Sequence, residues 1–182
     1  MPSEQDKIVL KVRELLAHKQ QVLLAIDGYG GSGKTTLARA IQSEFSGSAI
    51  ITLDDFATDT TSGADRKRFI SQVLVPLSEG NAAYYQRFYW REKTHADWIT
   101  VKPKGLIIIE GVSVLGEDFL SYYDLLVWID CSFELASQRM KERDKNIHNP
   151  TYFNVWENED QEYGKTQPWK RADIIIHVNE WV

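Results

Sequence analysis

Cysteine is almost absent from the chain: Cys131 stands alone, so no internal disulfide can staple the fold. Its place at the end of an apolar run makes a buried, inert thiol the expectation. Long hydrophobic runs are missing too. The longest hold about five residues, where a membrane-spanning helix needs roughly 20. Basic charge is in the minority, with 21 Lys and Arg against 26 Asp and Glu and a formal charge of −5. That balance argues against a broad nucleic-acid surface, and no cluster of Lys and Arg marks a membrane-surface patch. His148 and His177 lack the partner spacing of a metal site. Met1 to Asp6 carries no basic-then-apolar leader, so a cytoplasmic protein with no membrane or nucleic-acid partner is expected. Self-association is left open.

What remains is an ordinary globular composition, 43% hydrophobic and 26% charged over 182 residues. That length suits one domain, residues 1–182, with a sizeable core. Apolar residues at helical spacing (Ile8, Val12, Leu15, Leu16) open the chain. Short apolar strands then alternate with helical segments: Val22 to Asp27, Ala49 to Leu53, Leu106 to Ile109, Leu125 to Ile129 and Ile174 to Ile176. Strands that are apolar throughout are buried on both faces, as in parallel sheets. The pattern predicts an α/β fold with a doubly wound, parallel, five-stranded sheet. Arg66 to Leu77 reads as a helix, Thr58 to Ser62 as a loop, and the aromatic, polar stretch from Asn146 to Pro168 as a mobile, helical lid.

One local motif carries chemistry outright. Gly28-Tyr29-Gly30-Gly31-Ser32-Gly33-Lys34-Thr35 has the spacing G-x-x-x-x-G-K-[ST] between an apolar strand and an amphipathic helix. Glycines let successive N–H groups turn inward around phosphate oxygens. The helix start adds the positive end of its dipole, the lysine reaches the β- and γ-phosphates, and the Thr35 hydroxyl is a ligand for Mg²⁺. Gly28, Gly30, Gly31, Ser32, Gly33, Lys34, Thr35 and Thr36 are therefore the expected ATP-binding residues.

Two acidic sites follow strand ends, where open parallel sheets bind ligands: Asp54-Asp55 after the second strand and Glu110 after the third. Carboxylates there can hold a metal or accept the proton of an attacking hydroxyl, and one of the aspartates reads as a loop cap. Arg139 and Arg143 lie four apart on one helix face, where guanidinium groups can neutralise a transferring phosphoryl group; pairing with nearby Glu142 and Asp144 is the alternative. Two aromatic groups, Tyr84, Tyr85, Phe88, Tyr89 and Trp90, then Tyr152, Phe153 and Trp156, offer either ring-stacking faces or packing.

Taken together, residues 30–36, Leu53-Asp54-Asp55-Phe56, Ile108-Ile109-Glu110-Gly111-Val112, Arg143-Asp144 and Lys170-Arg171-Ala172-Asp173-Ile174-Ile175 resemble the uridine kinase and nucleoside kinase branch of P-loop kinases. Phosphoribulokinase, pantothenate kinase and nicotinamide riboside kinase stand in the same branch. The resemblance spans roughly residues 21 to 178. It implies that Asp54 orients or deprotonates an acceptor hydroxyl, that Thr35, Asp54 and Glu110 hold Mg²⁺, and that Arg139 and Arg143 are lid arginines. Lys34, Asp54, Arg139 and Arg143 are then the catalytic set. Pyrimidine-phosphorylating members carry Tyr-Asp-Phe with a histidine five residues past the tyrosine, whereas this chain has Phe88-Tyr89-Trp90, Lys93 and His95.

The expectation is therefore an ATP- and Mg²⁺-dependent kinase that phosphorylates a hydroxyl of a small, nucleoside-like metabolite. Asp54, Asp65, Arg87, Phe88, Trp90, Phe153 and Trp156 are the candidate acceptor contacts. The competing expectation is a regulatory nucleotide-binding switch with water as acceptor; no guanine-reading Asn-Lys-x-Asp is present to support its GTPase form.

Overall fold

The structure is a computed structural model, and it describes residues 3–58, 63–89, 92, 94–146 and 151–178. Trp90, Lys93, His148 and most of the 58–62 loop lie outside the described residues.

Helix α1 (Glu4–Leu16) starts at a reciprocal cap, in which Ser3 and Asp6 each accept the other's backbone N–H. Strand β1 (Gln21–Asp27) leads through the glycine-rich loop into α2 (Lys34–Gln42), and β2 (Ala49–Thr52) follows. Helices α3 (Arg66–Phe69) and α4 (Val75–Ser78) flank a widened π-helical stretch (Ile70–Leu74). The single helix expected here is thus interrupted. Pro76 has no N–H to give to a carbonyl one turn back, and the widened turn lies directly before it.

Strands β3 (Ala83–Tyr89) and β4 (Thr94–Val101) form a separate antiparallel pair. Then come β5 (Gly105–Glu110), β6 (Leu125–Cys131), α5 (Phe133–Arg143), α6 (Thr151–Lys165) and β7 (Ile174–Val178).

The main sheet is parallel and five-stranded, in the order β2-β5-β1-β6-β7. Because side chains alternate across a strand, β1 feeds two cores. Leu23 and Ala25 join Phe56, Phe69, Ile107, Ile109 and Phe119 on one face. Val22, Leu24 and Ile26 join Ile8, Val12, Ala38 and Ile41 on the other. This is the doubly wound arrangement that the apolar strands predict. Register sets the site: Thr52 lies beside Glu110 across β2 and β5, and Ile26 lies beside Glu110 across β1 and β5.

The β3–β4 hairpin has no counterpart in the expected element order. Tyr85 and Phe88 are buried while Tyr84 is exposed, and Tyr84 stacks on Trp98 at 4.5 Å and 14°. With aromatics on both faces, the usual apolar–polar alternation of a half-buried strand is hidden. No described helix is long and apolar enough to cross a membrane.

Phe69 is fully buried, with ring edges on Phe56 (5.1 Å) and Phe119 (5.2 Å). Phe69→Ala should therefore cost about 3–5 kcal/mol of unfolding free energy. Urea titration followed by fluorescence checks it; a loss below about 1 kcal/mol would mean that this core is not packed as described.

Candidate active site

The glycine-rich loop closes on itself where β1 ends. Gly31 takes φ +87°, and a Cβ there would lie 2.1 Å from the Ala136 carbonyl; only glycine lets the loop approach α5 so closely. Gly33 caps α2 without a side-chain bond, an arrangement in which the first N–H groups of the helix suit an anion. The Ser32 hydroxyl is buried and has no hydrogen-bond partner among the described residues, as fits a loop suited to oxygens of a ligand. Lys34 is buried and donates to the Gly28 and Tyr29 carbonyls, each at 2.9 Å. Thr36 is exposed on the first turn of α2.

Asp27, which the sequence marked only as a strand end, anchors this loop. Its carboxylate is fully buried and accepts from the N–H groups of Gly28 (2.7 Å), Ser113 (3.1 Å) and Leu115 (2.8 Å) and from the Tyr163 hydroxyl (2.6 Å). Burial pushes its pKa up against those bonds.

The three carboxylates singled out by sequence separate into different roles. Glu110 is buried and accepts from the Thr35 hydroxyl at 3.2 Å. Burial raises its pKa; Lys34 opposes the rise and Asp54 adds to it. Asp54 and Asp55 sit on a 3₁₀ turn (Leu53–Phe56), which aims adjacent side chains apart. Asp54 is exposed beside Glu110. Asp55 is buried, ion-paired with Arg87 Nε at 2.7 Å and bonded by the Tyr85 hydroxyl at 3.2 Å. Burial raises the pKa of Asp55, and Arg87 opposes it. Asp55 therefore ties the hairpin to the sheet, and Arg87 is engaged in the same link.

Two cavities meet at Asp54. One, of about 330 Å³, lies between the loop and α6 and is lined by Gly30, Asp54, Ser113, Arg143, Trp156 and Asp160 among others. The other, of about 510 Å³, is lined by Thr35, Arg39, Thr52, Asp54, Arg87 and Glu110 among others. Among the described residues no group of three or more His, Cys, Asp or Glu side chains forms a metal cluster. Thr35, Glu110 and Asp54 instead offer one hydroxyl and two carboxylates around the second cavity, an oxygen set suited to a magnesium ion that keeps water and phosphate ligands.

The remaining predicted contacts are dispersed. Asp65 caps α3 by accepting the Arg68 N–H at 3.0 Å and lines neither cavity. Phe88 is buried with an edge contact to His95 at 5.1 Å. Trp156 lines the first cavity and stacks on Tyr152 (5.9 Å, 17°); Phe153 supports it edge-on at 5.8 Å. Arg143 reaches the same cavity while bonded to buried Asp144 at 2.5 and 3.0 Å. Arg139 is half-buried on α5 and near Cys131, where its charge opposes the upward pKa shift that burial gives the thiol.

Asp160 was not foreseen. It comes from α6, is 5% exposed, and its Oδ2 accepts the Gly30 N–H at 2.7 Å. Burial raises its pKa to about 6; the Gly30 bond and Lys34 oppose this, while Asp27 and Asp54 add to it. Neighbouring Glu159 is pushed up by burial and by Asp160. The folded state thus holds a proton on Asp160 more tightly than an unfolded chain does. The stability this contributes is complete below the ordinary aspartate value and is lost as pH rises through about 6. Asp160→Asn cannot titrate and keeps an oxygen for Gly30. Between pH 4 and 7 its stability should rise relative to the parent by on the order of 2 kcal/mol. Urea melts of both proteins across that range check it; a pH-independent difference would contradict the assignment.

No family model matches the chain. Curated uridine kinases of Anoxybacillus flavithermus and Geobacillus kaustophilus are each 28% identical to it, covering 87% of this chain and 86% of theirs. Among solved structures, a possible uridine kinase of Bacillus stearothermophilus superposes with a TM-score of 0.68 at 22% identity, covering 94% of this chain and 98% of that one. A suggested P-loop containing kinase of Saccharomyces cerevisiae, circularly permuted, gives 0.65 at 13% identity over 97% and 99% of the two chains. The chain has the fold of the P-loop kinases and is similar, along most of its length, to the uridine kinases.

Proposed function

We propose that the protein is an ATP-dependent kinase that transfers the γ-phosphate to a hydroxyl of a nucleoside-like metabolite. The observation that carries this reading is the position of Asp54: an exposed carboxylate on the wall shared by two cavities, one beside Thr35 and Glu110, the other beside Gly30 and α6. A nucleotide switch with water as acceptor has no use for a second cavity with aromatic walls.

Each residue then has a task. The loop N–H groups and Lys34, released from the Gly28 and Tyr29 carbonyls, bind the phosphates. Thr35, Asp54 and Glu110 would hold Mg²⁺, which when bound neutralises charge on the β- and γ-phosphate oxygens. Asp54 accepts the proton of the acceptor hydroxyl as its oxygen bonds to the γ-phosphorus and the bond to ADP breaks. Arg143, held by Asp144, and Arg139 supply positive charge for the equatorial oxygens. Tyr152 and Trp156 give the acceptor's flat ring a stacking wall, with Phe153 behind them. The acceptor thereby lies toward α6 instead of toward the aromatic run that ends at Trp90. Similarity to curated uridine kinases supports the phosphoryl transfer and puts uridine first among acceptors to assay.

Lys34→Ala should lower turnover by several orders of magnitude. Asp54→Asn should bind MgATP within about threefold of the parent yet lose about 100-fold or more in phosphotransfer. Asp55→Asn should mainly lower stability, by about 1–3 kcal/mol. Calorimetric titration of ATP beside a coupled ADP-release assay separates these effects. Near-parental transfer in Asp54→Asn would remove Asp54 from the chemistry.

A further inference from the structure

Of the acceptor contacts that the sequence offers, Asp65 and Arg87 are engaged in a helix cap and an ion pair. Something else must hold the acceptor's polar groups. Among the described residues, the charged side chains lining the 330 Å³ cavity are Asp54, Glu159, Asp160 and Arg143, and Arg143 is bonded to Asp144. The cavity is therefore rich in hydrogen-bond acceptors and negative, the opposite of what a phosphate or carboxylate ligand needs.

Asp160 is the most rigidly placed of these groups. It is buried, and the Gly30 N–H fixes its Oδ2. One turn on, Tyr163 is held by Asp27, and a Cβ on Gly164 would lie 2.5 Å from the Tyr29 hydroxyl. These contacts dock this end of α6 on the loop. Tyr152, Trp156, Glu159, Asp160 and Tyr163 recur at helical spacing, so one face of α6 presents them together to the cavity. A carboxylate has about four acceptor positions, and Gly30 uses one.

We propose that Asp160 is a specificity-determining residue, which accepts hydrogen bonds from hydroxyl or amino groups of the phosphate acceptor and excludes acceptors that carry negative charge. The proposal rests on the reading of this cavity as the acceptor site. A vicinal diol supplies two O–H donors to one carboxylate. A phosphate or carboxylate substituent would meet Asp54, Glu159 and Asp160 at short range, where partial burial weakens solvent screening. A ring with positive charge would gain twice, from the carboxylates and from the faces of Trp156 and Tyr152. The acceptor class is then an uncharged or cationic, ring-bearing polyol, not a sugar phosphate or a carboxylic acid.

The test uses the full chain with Mg²⁺ and a non-hydrolysable ATP analogue, titrated calorimetrically with uridine, nicotinamide riboside, pantothenate and ribulose 5-phosphate. ADP release with ATP is measured in parallel, and Asp160→Asn and Asp160→Ala are compared with the parent. The parent should bind at least one of the first pair about tenfold or more tightly than either anion. In Asp160→Asn, which keeps an oxygen for Gly30 and so the lid contact, that gap should shrink to within about threefold. KM for the preferred acceptor should rise while kcat and ATP affinity stay near the parent's. Asp160→Ala should lose the gap as well. An anion bound as tightly as uridine and nicotinamide riboside, a gap that survives in Asp160→Asn, or no binding of any of the four compounds would overturn the inference. A gap in binding without ADP release from any compound would instead strike the kinase reading and leave Asp160 as the discriminating group.

Discussion

The site is organised around a buried charge. Asp27 closes β1, and its carboxylate gathers donors from three separate places: the loop at Gly28, the segment after β5 at Ser113 and Leu115, and α6 at Tyr163. An ionised carboxylate without partners at such depth would be untenable; with four hydrogen bonds it holds the three segments in one arrangement. The glycine-rich loop can then keep its positive-φ turns while Gly30 meets Asp160. The segment expected from sequence as a lid is, at its Asp160 to Gly164 end, fastened to the glycine-rich loop.

Beside Glu159 on the cavity wall, five described carboxylates stand within this region, and environment alone divides their work. Asp27 is structural and fully buried. Asp55 is spent on Arg87 and Tyr85. Glu110 is buried beside the Thr35 hydroxyl, Asp160 beside the Gly30 N–H, and Asp54 is exposed between two cavities. Burial raises the pKa of each of the four others. In the proposed reaction, a region so charged with negative groups would accommodate a triphosphate through Lys34, the loop N–H groups, the α2 dipole, Arg139 and Arg143, and a divalent cation. That balance is a reason for the site to handle an uncharged acceptor more readily than an anionic one.

Much of this was written locally in the sequence. The loop motif is contiguous, and apolar runs such as Ile107-Ile108-Ile109 announce buried parallel strands without reference to any partner. The five strands of the main sheet follow from them. Long-range contacts were not legible, Asp27's role as an anchor among them. The β3–β4 hairpin hides its period because Tyr84 and Tyr85 carry aromatics to both faces. Asp160 meets Gly30 across 130 positions of chain, and no spacing rule connects a helix residue to a loop that far away. The preference for Asp54 over Asp55 came from the resemblance and not from spacing, since a single 3₁₀ turn decides which one Arg87 neutralises.

Phosphoryl transfer to a hydroxyl in the cavity beside Asp54 is the central claim, and the fate of the γ-phosphate tests it most directly. In a single turnover with ATP labelled at the γ-phosphorus, Mg²⁺ and saturating uridine or nicotinamide riboside, the label should appear in a phosphomonoester of the acceptor, with little released as inorganic phosphate. Label recovered solely as inorganic phosphate, at a rate indifferent to either acceptor, would contradict the account and make water the natural acceptor of this site.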